Sequence, residues 1–210
     1  MKQIYPDLWQ TGAEHPFHAL TTHAYLLIRS AGNVLFYSSG RSDEHRHIQE
    51  LGGITHQYLS HRDEAGPALS DIKKMFGSKL YCHRLEEEAV SRASAVDCTF
   101  ERRGIQLGDV EVIPTPGHTN GSACFLFSSP HGKTYLFTGD TVFLNNGSWD
   151  TFVMENAGGT KSDLKQSLVL LRSLQPDVVI SSASVGHVPL KEMSVGEWSA
   201  VVDSILRALS

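Results

Sequence analysis

Histidine and carboxylate residues stand at the downstream ends of four predicted strands. The four segments are LSHRDE (59–64), PTPGHTNGS (114–122), FTGDT (137–141) and SVGHVP (184–189). Any one of them alone is typical of a turn, in which a histidine or aspartate bonds to nearby backbone groups. Together they supply His61, Asp63, His118, Asp140 and His187. Imidazole with carboxylate is a donor set for zinc or non-haem iron, and strand ends converge when sheets stack, so the sequence predicts a metal site.

The composition is that of an ordinary globular protein. Of the 210 residues, 40% are hydrophobic and 20% are charged, which predicts one domain over residues 1–210. The net charge of -5 argues against a nucleic-acid partner, because such affinity comes from clustered Lys and Arg. No apolar run approaches the roughly 20 residues that cross a bilayer, and no signal-peptide stretch opens the sequence. We therefore expect a cytoplasmic protein without a membrane or nucleic-acid partner.

Strands and helices alternate in the first half of the chain. Two runs rich in β-branched and aromatic residues, 23–29 and 33–39, flank the turn SAGN and predict a hairpin. Ser42 is a suitable N-cap for a helix that the glycine pair at 52 and 53 ends. The elements expected after it are a strand over 55–60, a helix over 70–77 and a strand over 79–83.

The second half predicts antiparallel strands followed by two helices. Period-two patterns separated by Gly, Asn and Pro turns run from residue 98 to residue 139. Ser162 is the expected N-cap of a helix over 163–174, and SVGE (194–197) has the capping-box form at the start of the last helix. Both helices carry one apolar face. Two sheets packed face to face with helices outside are therefore the predicted layers.

Three further features are predicted to lie outside the metal site. His15, His18 and His23, around the first hairpin, are expected on the surface, and a place in the wall of the pocket is the alternative for His23. RLEEEAV (84–90) is expected to be the solvated start of a helix, where the helix dipole favours acidic residues. NNGSWDTFVMENAGG (145–159) is the longest segment without a period, and such loops often form substrate walls. We expect substrate specificity to reside in it.

The order of these motifs resembles that of the metallo-β-lactamase superfamily. The resemblance covers nearly the whole chain: an initial hairpin, a first motif after GGITHQYLSH, then TPGHTNGS, FTGDT and a late glycine-histidine pair. TPGHTNGS and FTGDT are most similar to the branch that holds glyoxalase II, small lactonases and persulfide dioxygenases. The resemblance implies an α/β fold, a four-layer αββα sandwich of two mixed β-sheets, with the site at one edge between the sheets.

The first motif departs from the family pattern T-H-x-H-x-D-H, and two registers fit it. In the first register His61 is the first ligand, Asp63 replaces the second histidine, and residues that cannot ligate a metal stand in place of the Asp-His pair. In the second register His61 is the second ligand, Asp63 is the usual aspartate and Glu64 replaces the third histidine. The first register is favoured, because the residues that precede His61 match a common family approach to the motif.

The resemblance implies one metal ion where the family usually holds two. The residues that match the first family site are His61, Asp63, His118 and Asp140. The expected cofactor is one divalent ion of zinc, iron or manganese, and a second ion only if Glu64 and His187 rebuild the other position. The implied activity is hydrolysis of a small ester, thioester or lactone by metal-bound hydroxide. Asp63 or Glu64, whichever is not a ligand, would accept a proton, and His187 would donate one to the leaving group or orient Asp140.

Two alternative functions remain open from the sequence. A set of two histidines and one carboxylate also suits an iron oxygenase of the persulfide dioxygenase type. The missing Asp-His pair also fits a non-catalytic binding protein on the same fold, as does Ser38, which stands where many members carry an aspartate that supports the metal. The motifs do not name the substrate, because members of one fold share donors while their loops select what enters.

Overall fold

The chain folds into two large sheets, a smaller sheet and five α-helices in a computed structural model that describes residues 1–186 and 189–209. The strands are β1 (Lys2–Tyr5), β2 (Leu8–Gln10), β3 (Leu20–Thr22), β4 (Tyr25–Leu27), β5 (Val34–Phe36), β6 (His56–Tyr58), β7 (Lys79–His83), β8 (Cys98–Phe100), β9 (Gly104–Gln106), β10 (Val110–Pro114), β11 (Ala123–Ser128), β12 (Thr134–Gly139), β13 (Phe143–Asn145), β14 (Ser148–Asp150), β15 (Val178–Ser181), β16 (Ala183–Val185) and β17 (Leu190–Glu192). The helices are α1 (His45–Glu50), α2 (Ala68–Phe76), α3 (Glu87–Val90), α4 (Lys161–Arg172) and α5 (Glu197–Ala208).

Both large sheets are mixed. The first has the order β1-β2-β4-β5-β6-β7-β8, antiparallel from β1 to β5 and parallel from β5 to β8. The second has the order β17-β15-β12-β11-β10-β9, in which only β12 and β15 are parallel neighbours. The predicted hairpin is β4 and β5. Of the mostly antiparallel strands predicted from residue 98 onward, β9 to β12 are antiparallel neighbours, whereas β8 pairs parallel with β7 in the first sheet. The smaller sheet has the order β14-β13-β16-β3.

Aromatic side chains join the two large sheets. Phe36 of β5 stacks on Phe137 of β12 with ring centroids 4.0 Å apart, and it lies 5.3 Å from the ring of Phe125 on β11. All three rings are fully buried, and pairs of this kind add to the stability that comes from their buried area. The inner core therefore lies between the two large sheets and is formed by the side chains that point inward from each of them.

Helices cover the outer faces and complete the four layers. Buried side chains of α2 and α3 pack on the first sheet, and those of α4 and α5 pack on the second. In α4 these are Leu164, Leu168 and Leu171, the helical spacing seen in the sequence. The predicted αββα sandwich is confirmed. Among the described residues, the helices are too short or too polar to cross a bilayer.

The N-terminus of α4 differs from the prediction. Thr160, and not Ser162, is the N-cap: its backbone is extended, with φ -138° and ψ 149°, and its Oγ1 accepts the backbone N–H of Asp163 at 3.0 Å. Ser162 already lies inside the first turn of the helix, which begins at Lys161. A cap must stand outside the helix with its own backbone extended, so the threonine two residues earlier takes that role.

The segment 145–159 has more regular structure than the sequence indicated. Its first part includes the end of β13 and the whole of β14, which form a hairpin in which Asn145 pairs with Ser148. Asn146 and Gly147 form the turn with φ values of 49° and 85°, the left-handed conformation that two-residue hairpin loops require. The hairpin was not predicted, because the strands are only three residues long and show no alternation.

Candidate metal centre

A cavity of about 650 Å³ lies at one edge of the sandwich, where four strands end. Its lining includes Ser38 after β5, His61 after β6, Asp140 after β12 and Ser182 after β15. β5 and β6 are parallel neighbours in one sheet, and β12 and β15 are parallel neighbours in the other, so their downstream ends meet at this edge. The edge is the position predicted for the metal site.

Four of the predicted ligands lie together there. One ligand atom from each of His61, Asp63 and His118 lies within 4.8 Å of those of the other two. Asp140 is beside them, with its Oδ2 3.5 Å from His61 Nε2 and 3.9 Å from His118 Nε2. Both histidines are buried, whereas Asp63 is exposed toward solvent. The fifth predicted residue, His187, lies outside the described residues.

His118 has the state that a metal ligand needs. Its Nδ1–H donates to the backbone carbonyl of Phe152 at 2.9 Å, which places the lone pair of the neutral ring on Nε2. That Nε2 is buried and has no hydrogen-bond partner among the described residues. A buried polar atom without a partner is uncommon and requires a reason, and a cation held between His118, His61 and Asp63 provides one. The residues present therefore fit a divalent metal ion.

His61 is oriented by a serine and a glutamate. Its Nδ1–H donates to Ser60 Oγ at 2.9 Å, and the Ser60 hydroxyl donates in turn to Glu64 Oε1. Glu64 Oε2 accepts the backbone N–H of Ser60 at 2.8 Å, so both carboxylate oxygens are engaged. Because Glu64 faces Nδ1, His61 Nε2 points to the side where Asp140 lies. Asp63, and not Glu64, therefore lies in the group with the two histidines, as the first register predicts.

Asp140 is held from both sides of the sandwich. Ser182 Oγ donates to its Oδ1 at 2.5 Å, which leaves Oδ2 for the histidines. The preceding Gly139 donates its N–H at 2.9 Å to the buried hydroxyl of Tyr37. Gly139 has φ 54° and lies so close to Ser60 that a Cβ would overlap the serine side chain. The glycine of the FTGDT motif thus allows the close approach that brings Asp140 to His61.

His61, His118 and Asp140 shift one another's pKa. Burial opposes ionisation of Asp140, but the charge and hydrogen bond of His61, with His118 and Ser182, outweigh it and hold the pKa of Asp140 well below 3.8. Burial likewise lowers the pKa of His61, but Asp140 and Glu64 raise it well above 6.5. Burial and the charge of His61 lower the pKa of His118. An ionised carboxylate between two imidazoles is an arrangement that suits a cation.

A buried ion pair joins the loop that follows β6 to the segment that follows β7, and hydrogen bonds extend it to the loop that follows β10. Glu86 is fully buried and accepts from Arg62 Nε at 2.5 Å and from Thr119 Oγ1 at 2.6 Å. Arg62 also donates to Asn120 Oδ1. A Cβ on Gly121 would come within 2.5 Å of Glu86 Oε1, so this position requires glycine. The prediction that residues 84–90 are solvated is wrong for Glu86, because the arginine neutralises it inside the protein.

Of the three histidines near the first hairpin, His23 differs from the prediction. His15 and His18 are exposed, as expected, whereas His23 is buried and lines the cavity. Its backbone N–H donates to the carbonyl of Ser182 at 3.1 Å, and its Nδ1–H donates to that of Thr11 at 2.8 Å. The hydrogen bond to the β15–β16 connection draws His23 inward, a long-range contact that no local pattern signals.

The cavity wall also differs from the prediction. Its described lining residues come from 14–23, 37–45, 61–71 and the neighbourhood of Asp140 and Ser182, and none comes from 145–159. The predicted specificity segment instead supports the metal centre, through the Phe152 carbonyl on His118. Ser60, Ser182 and Tyr37 were missed as site residues. The sequence did carry a signal for Ser60 and Ser182, because each lies just after a strand that ends at the site.

Known proteins resemble this chain in sequence over part of their length. The sequence model of the metallo-beta-lactamase superfamily matches residues 24–183. The probable polyketide biosynthesis zinc-dependent hydrolase PksB of Bacillus subtilis (strain 168) is 27% identical over 123 residues, 57% of this chain and 49% of that protein. A hydroxyacylglutathione hydrolase of Salmonella paratyphi A is 32% identical over 141 residues, 67% of this chain and 49% of that protein. The chain spans about half the length of these two relatives.

Solved structures resemble it over almost its whole length. The class B3 di-zinc metallo-beta-lactamase LRA-12 from an Alaskan soil metagenome has a TM-score of 0.68 at 18% identity, covering 99% of this chain and 91% of that one. The metallo-beta-lactamase GOB-18 from Elizabethkingia meningoseptica has a TM-score of 0.67 at 18% identity, covering 99% and 90%. The family match includes the loops that carry His61, Asp63, His118 and Asp140, and the chain belongs to the metallo-β-lactamase superfamily.

Proposed function

We propose that the chain is a metal-dependent hydrolase of a small ester, thioester or lactone, with one divalent ion held by His61, Asp63, His118 and Asp140. The observation that carries the proposal is the buried Nε2 of His118, which has no hydrogen-bond partner in the part of the chain that the structure describes and lies close to ligand atoms of His61 and Asp63. The similarity to relatives named as hydrolases supports the reaction class. Nitrogen and carboxylate donors suit zinc, iron or manganese.

Each residue of the proposed site has a separate role in the reaction. A divalent ion, when bound, lowers the pKa of water toward neutrality and polarises the carbonyl of the substrate. His61 and His118 present Nε2 to the ion, and Asp140 supplies negative charge while Ser182 holds its other oxygen. Asp63 is exposed at the cavity, where its free oxygen accepts a proton. Glu64 orients His61 through Ser60, which engages both of its carboxylate oxygens.

Metal content tests the site. Protein purified without added metal or chelator should contain about one equivalent of zinc, iron or manganese, and both Asp63→Ala and His118→Ala should lose it. His131→Ala is the matched control, because His131 is exposed in the β11–β12 turn. About two equivalents would contradict the single-ion proposal. No metal after reconstitution would favour the non-catalytic binding protein.

Turnover tests the reaction. The metal-loaded protein should hydrolyse a small neutral thioester, the acetyl thioester of N-acetylcysteamine, and release one thiol for each acetate formed. His118→Ala should reduce kcat/KM by at least about 100-fold, because it removes a ligand, while His131→Ala should retain the wild-type value. Turnover that survives in His118→Ala would contradict the role assigned to the metal.

One observation favours a second function, the iron oxygenase of the persulfide dioxygenase type. The group of His61, Asp63 and His118 has two imidazoles and one carboxylate, the donor set of non-haem iron oxygenases. Anaerobic loading with Fe²⁺, followed by oxygen-uptake measurements with a persulfide, distinguishes it from the hydrolase. Oxygen uptake that depends on both Fe²⁺ and persulfide would favour the oxygenase. The absence of such uptake would exclude the oxygenase function.

A further inference from the structure

The cavity in front of the metal centre is acidic. The carboxylates that line it are Glu14, Asp63, Glu64, Asp71 and Asp140. Its described lining contains no Lys or Arg. The remaining titratable side chains of the lining are His23, His45 and His61 and the buried Tyr37. Low-dielectric walls that carry one sign of charge focus the field within a cleft, so the charge of a substrate matters here.

A bound divalent ion balances only part of this negative charge. Asp63 and Asp140 are the carboxylates proposed to face the ion, and Glu64 is engaged with Ser60. Among the described residues, the groups that donate to Glu14 are neutral: the Ser39 hydroxyl at 2.6 Å and the Gly40 N–H. Those bonds stabilise the carboxylate but do not cancel its charge.

Asp71 also keeps its charge toward the cavity. It lies in the first turn of α2, and the cation beside it, Lys74, is 4.0 Å away with both side chains mostly exposed. An exposed pair of this kind is weak and screened by solvent. The two arginines in the neighbouring segments are otherwise engaged: Arg41 donates to Asp43 at 2.9 and 2.7 Å, and Arg62 pairs with Glu86.

We propose that the cavity selects acyl substrates by charge, taking cationic leaving groups in preference to neutral ones and excluding carboxylate-bearing ones. The proposal rests on the hydrolase function proposed above and names its substrate class. A carboxylate would enter beside Glu14 and Asp71, where the described lining offers no Lys or Arg to receive it, whereas a cation is attracted. Phe17, at the rim, adds an aromatic ring, a group that also attracts cations.

The inference separates this chain from relatives named hydroxyacylglutathione hydrolase. Glutathione carries two carboxylate groups and one ammonium group near neutral pH, so its thioesters are anionic. A cavity lined by carboxylates without Lys or Arg in its described part does not suit such a leaving group. We therefore do not infer from a similarity that covers half of such a relative that this chain has the same substrate.

Three thioesters with the same acyl group test the proposal. They are acetylthiocholine, S-acetyl-N-acetylcysteamine and S-acetyl-3-mercaptopropionate, which are cationic, neutral and anionic. In each, water adds to the acyl carbon and the carbon–sulfur bond breaks, giving acetate and a thiol that a thiol reagent detects. At low salt we expect kcat/KM to fall by about tenfold or more from the cationic to the anionic substrate, with the neutral one between. Added salt should narrow the difference by lowering the cationic value and raising the anionic one.

A charge reversal at the rim provides the matched comparison. Asp71→Lys should raise kcat/KM for the anionic thioester by about tenfold and lower it for acetylthiocholine, with a smaller change for the neutral thioester than for either. Asp71 is exposed on α2, so the variant should fold. Glu101→Lys changes the net charge equally at an exposed residue outside the cavity lining, and it should leave all three values unchanged.

The outcomes distinguish the two proposals. Hydrolysis of the neutral thioester together with an equal or faster rate on the anionic one would overturn the charge selection and leave the hydrolase standing. An order of rates that neither salt nor Asp71→Lys alters would do the same. Failure of the metal-loaded protein on all three thioesters would overturn the hydrolase, and with it the charge selection.

Discussion

Glu64 acts on the metal centre through Ser60 and His61. The imidazole Nδ1–H, the serine hydroxyl and the carboxylate form a hydrogen-bonded chain that fixes the ring orientation and places the lone pair on Nε2. Partners of this kind hold a ligand in place before the metal arrives and make it more basic. In the sequence Ser60 lies between strand β6 and His61, so the strand fixes the position of these hydrogen-bonded side chains.

Replacing Glu64 should weaken metal binding without removing a ligand. We expect Glu64→Ala to lower the affinity for Zn²⁺ by about 10- to 100-fold, and Glu64→Gln to lower it less, because the amide oxygen still accepts a hydrogen bond. Competition with a chromogenic chelator measures both. Glu88→Gln, at a side chain that is 90% exposed on α3, is the control for the loss of one negative charge. An unchanged affinity in Glu64→Ala would show that His61 needs no such partner.

At the scale of elements, the loops that carry the ligands are cross-linked by the Arg62–Glu86 pair. Arg62 lies between His61 and Asp63, and its partner comes from the segment before α3. Thr119, next to His118, binds the same carboxylate. The pair therefore connects the first and second metal motifs through a third segment of the chain.

Loss of Arg62 should destabilise the fold. Arg62→Met leaves Glu86 buried without its cation, which costs about 3 kcal/mol of unfolding free energy in urea titrations. The double variant Arg62→Met/Glu86→Gln should recover part of the loss, because no buried charge remains. Arg84→Met breaks an exposed pair with Glu87 and should cost less than about 1 kcal/mol. Equal losses in Arg62→Met and Arg84→Met would contradict the importance of burial.

The start of α5 should respond to pH through Glu197. The carboxylate accepts from Lys191 Nζ at 2.8 Å and from the N–H of Ser194 at 3.0 Å, which lowers the pKa of Glu197 from 4.5 to about 2. A folded pKa below the unfolded one adds stability above pH 4.5, and that stability is lost as the pH falls toward 2. Glu197→Gln should therefore be less stable at pH 7, by less than about 1 kcal/mol for an exposed group. Urea unfolding at pH 7 and near pH 2 should show the difference at the first pH alone.

At the scale of the whole molecule, metal binding should be linked to folding, because the ligands come from both large sheets. A ligand that binds only the folded state, at about 100 times its Kd, adds about 2.7 kcal/mol to the unfolding free energy. Denaturant titrations with and without Zn²⁺ should show this gain in the wild type and in His131→Ala. His118→Ala should not gain stability, and a gain of the same size in that variant would place the ion elsewhere.

The amino-acid sequence alone determined the family, the αββα layers and the loops that hold His61, Asp63, His118 and Asp140. These features depend on local patterns: alternation predicts the strands, and motifs at their ends predict what the sandwich edge brings together. The two registers of the first motif were equally compatible with ligand chemistry, since Asp63 and Glu64 are adjacent carboxylates. In the structure Glu64 turns back to Ser60 and Asp63 lies with the histidines.

Only the tertiary structure decided how the ligands are held and what surrounds them. Glu86 is buried because Arg62 reaches it, and His23 turns inward because Ser182 accepts its backbone N–H. The absence of Lys and Arg from the described cavity lining likewise depends on which segments meet there. Each of these facts joins residues far apart in the chain. The free energy of a buried charge or hydrogen bond depends on the group that faces it, and that partner is chosen by the packing of the sheets.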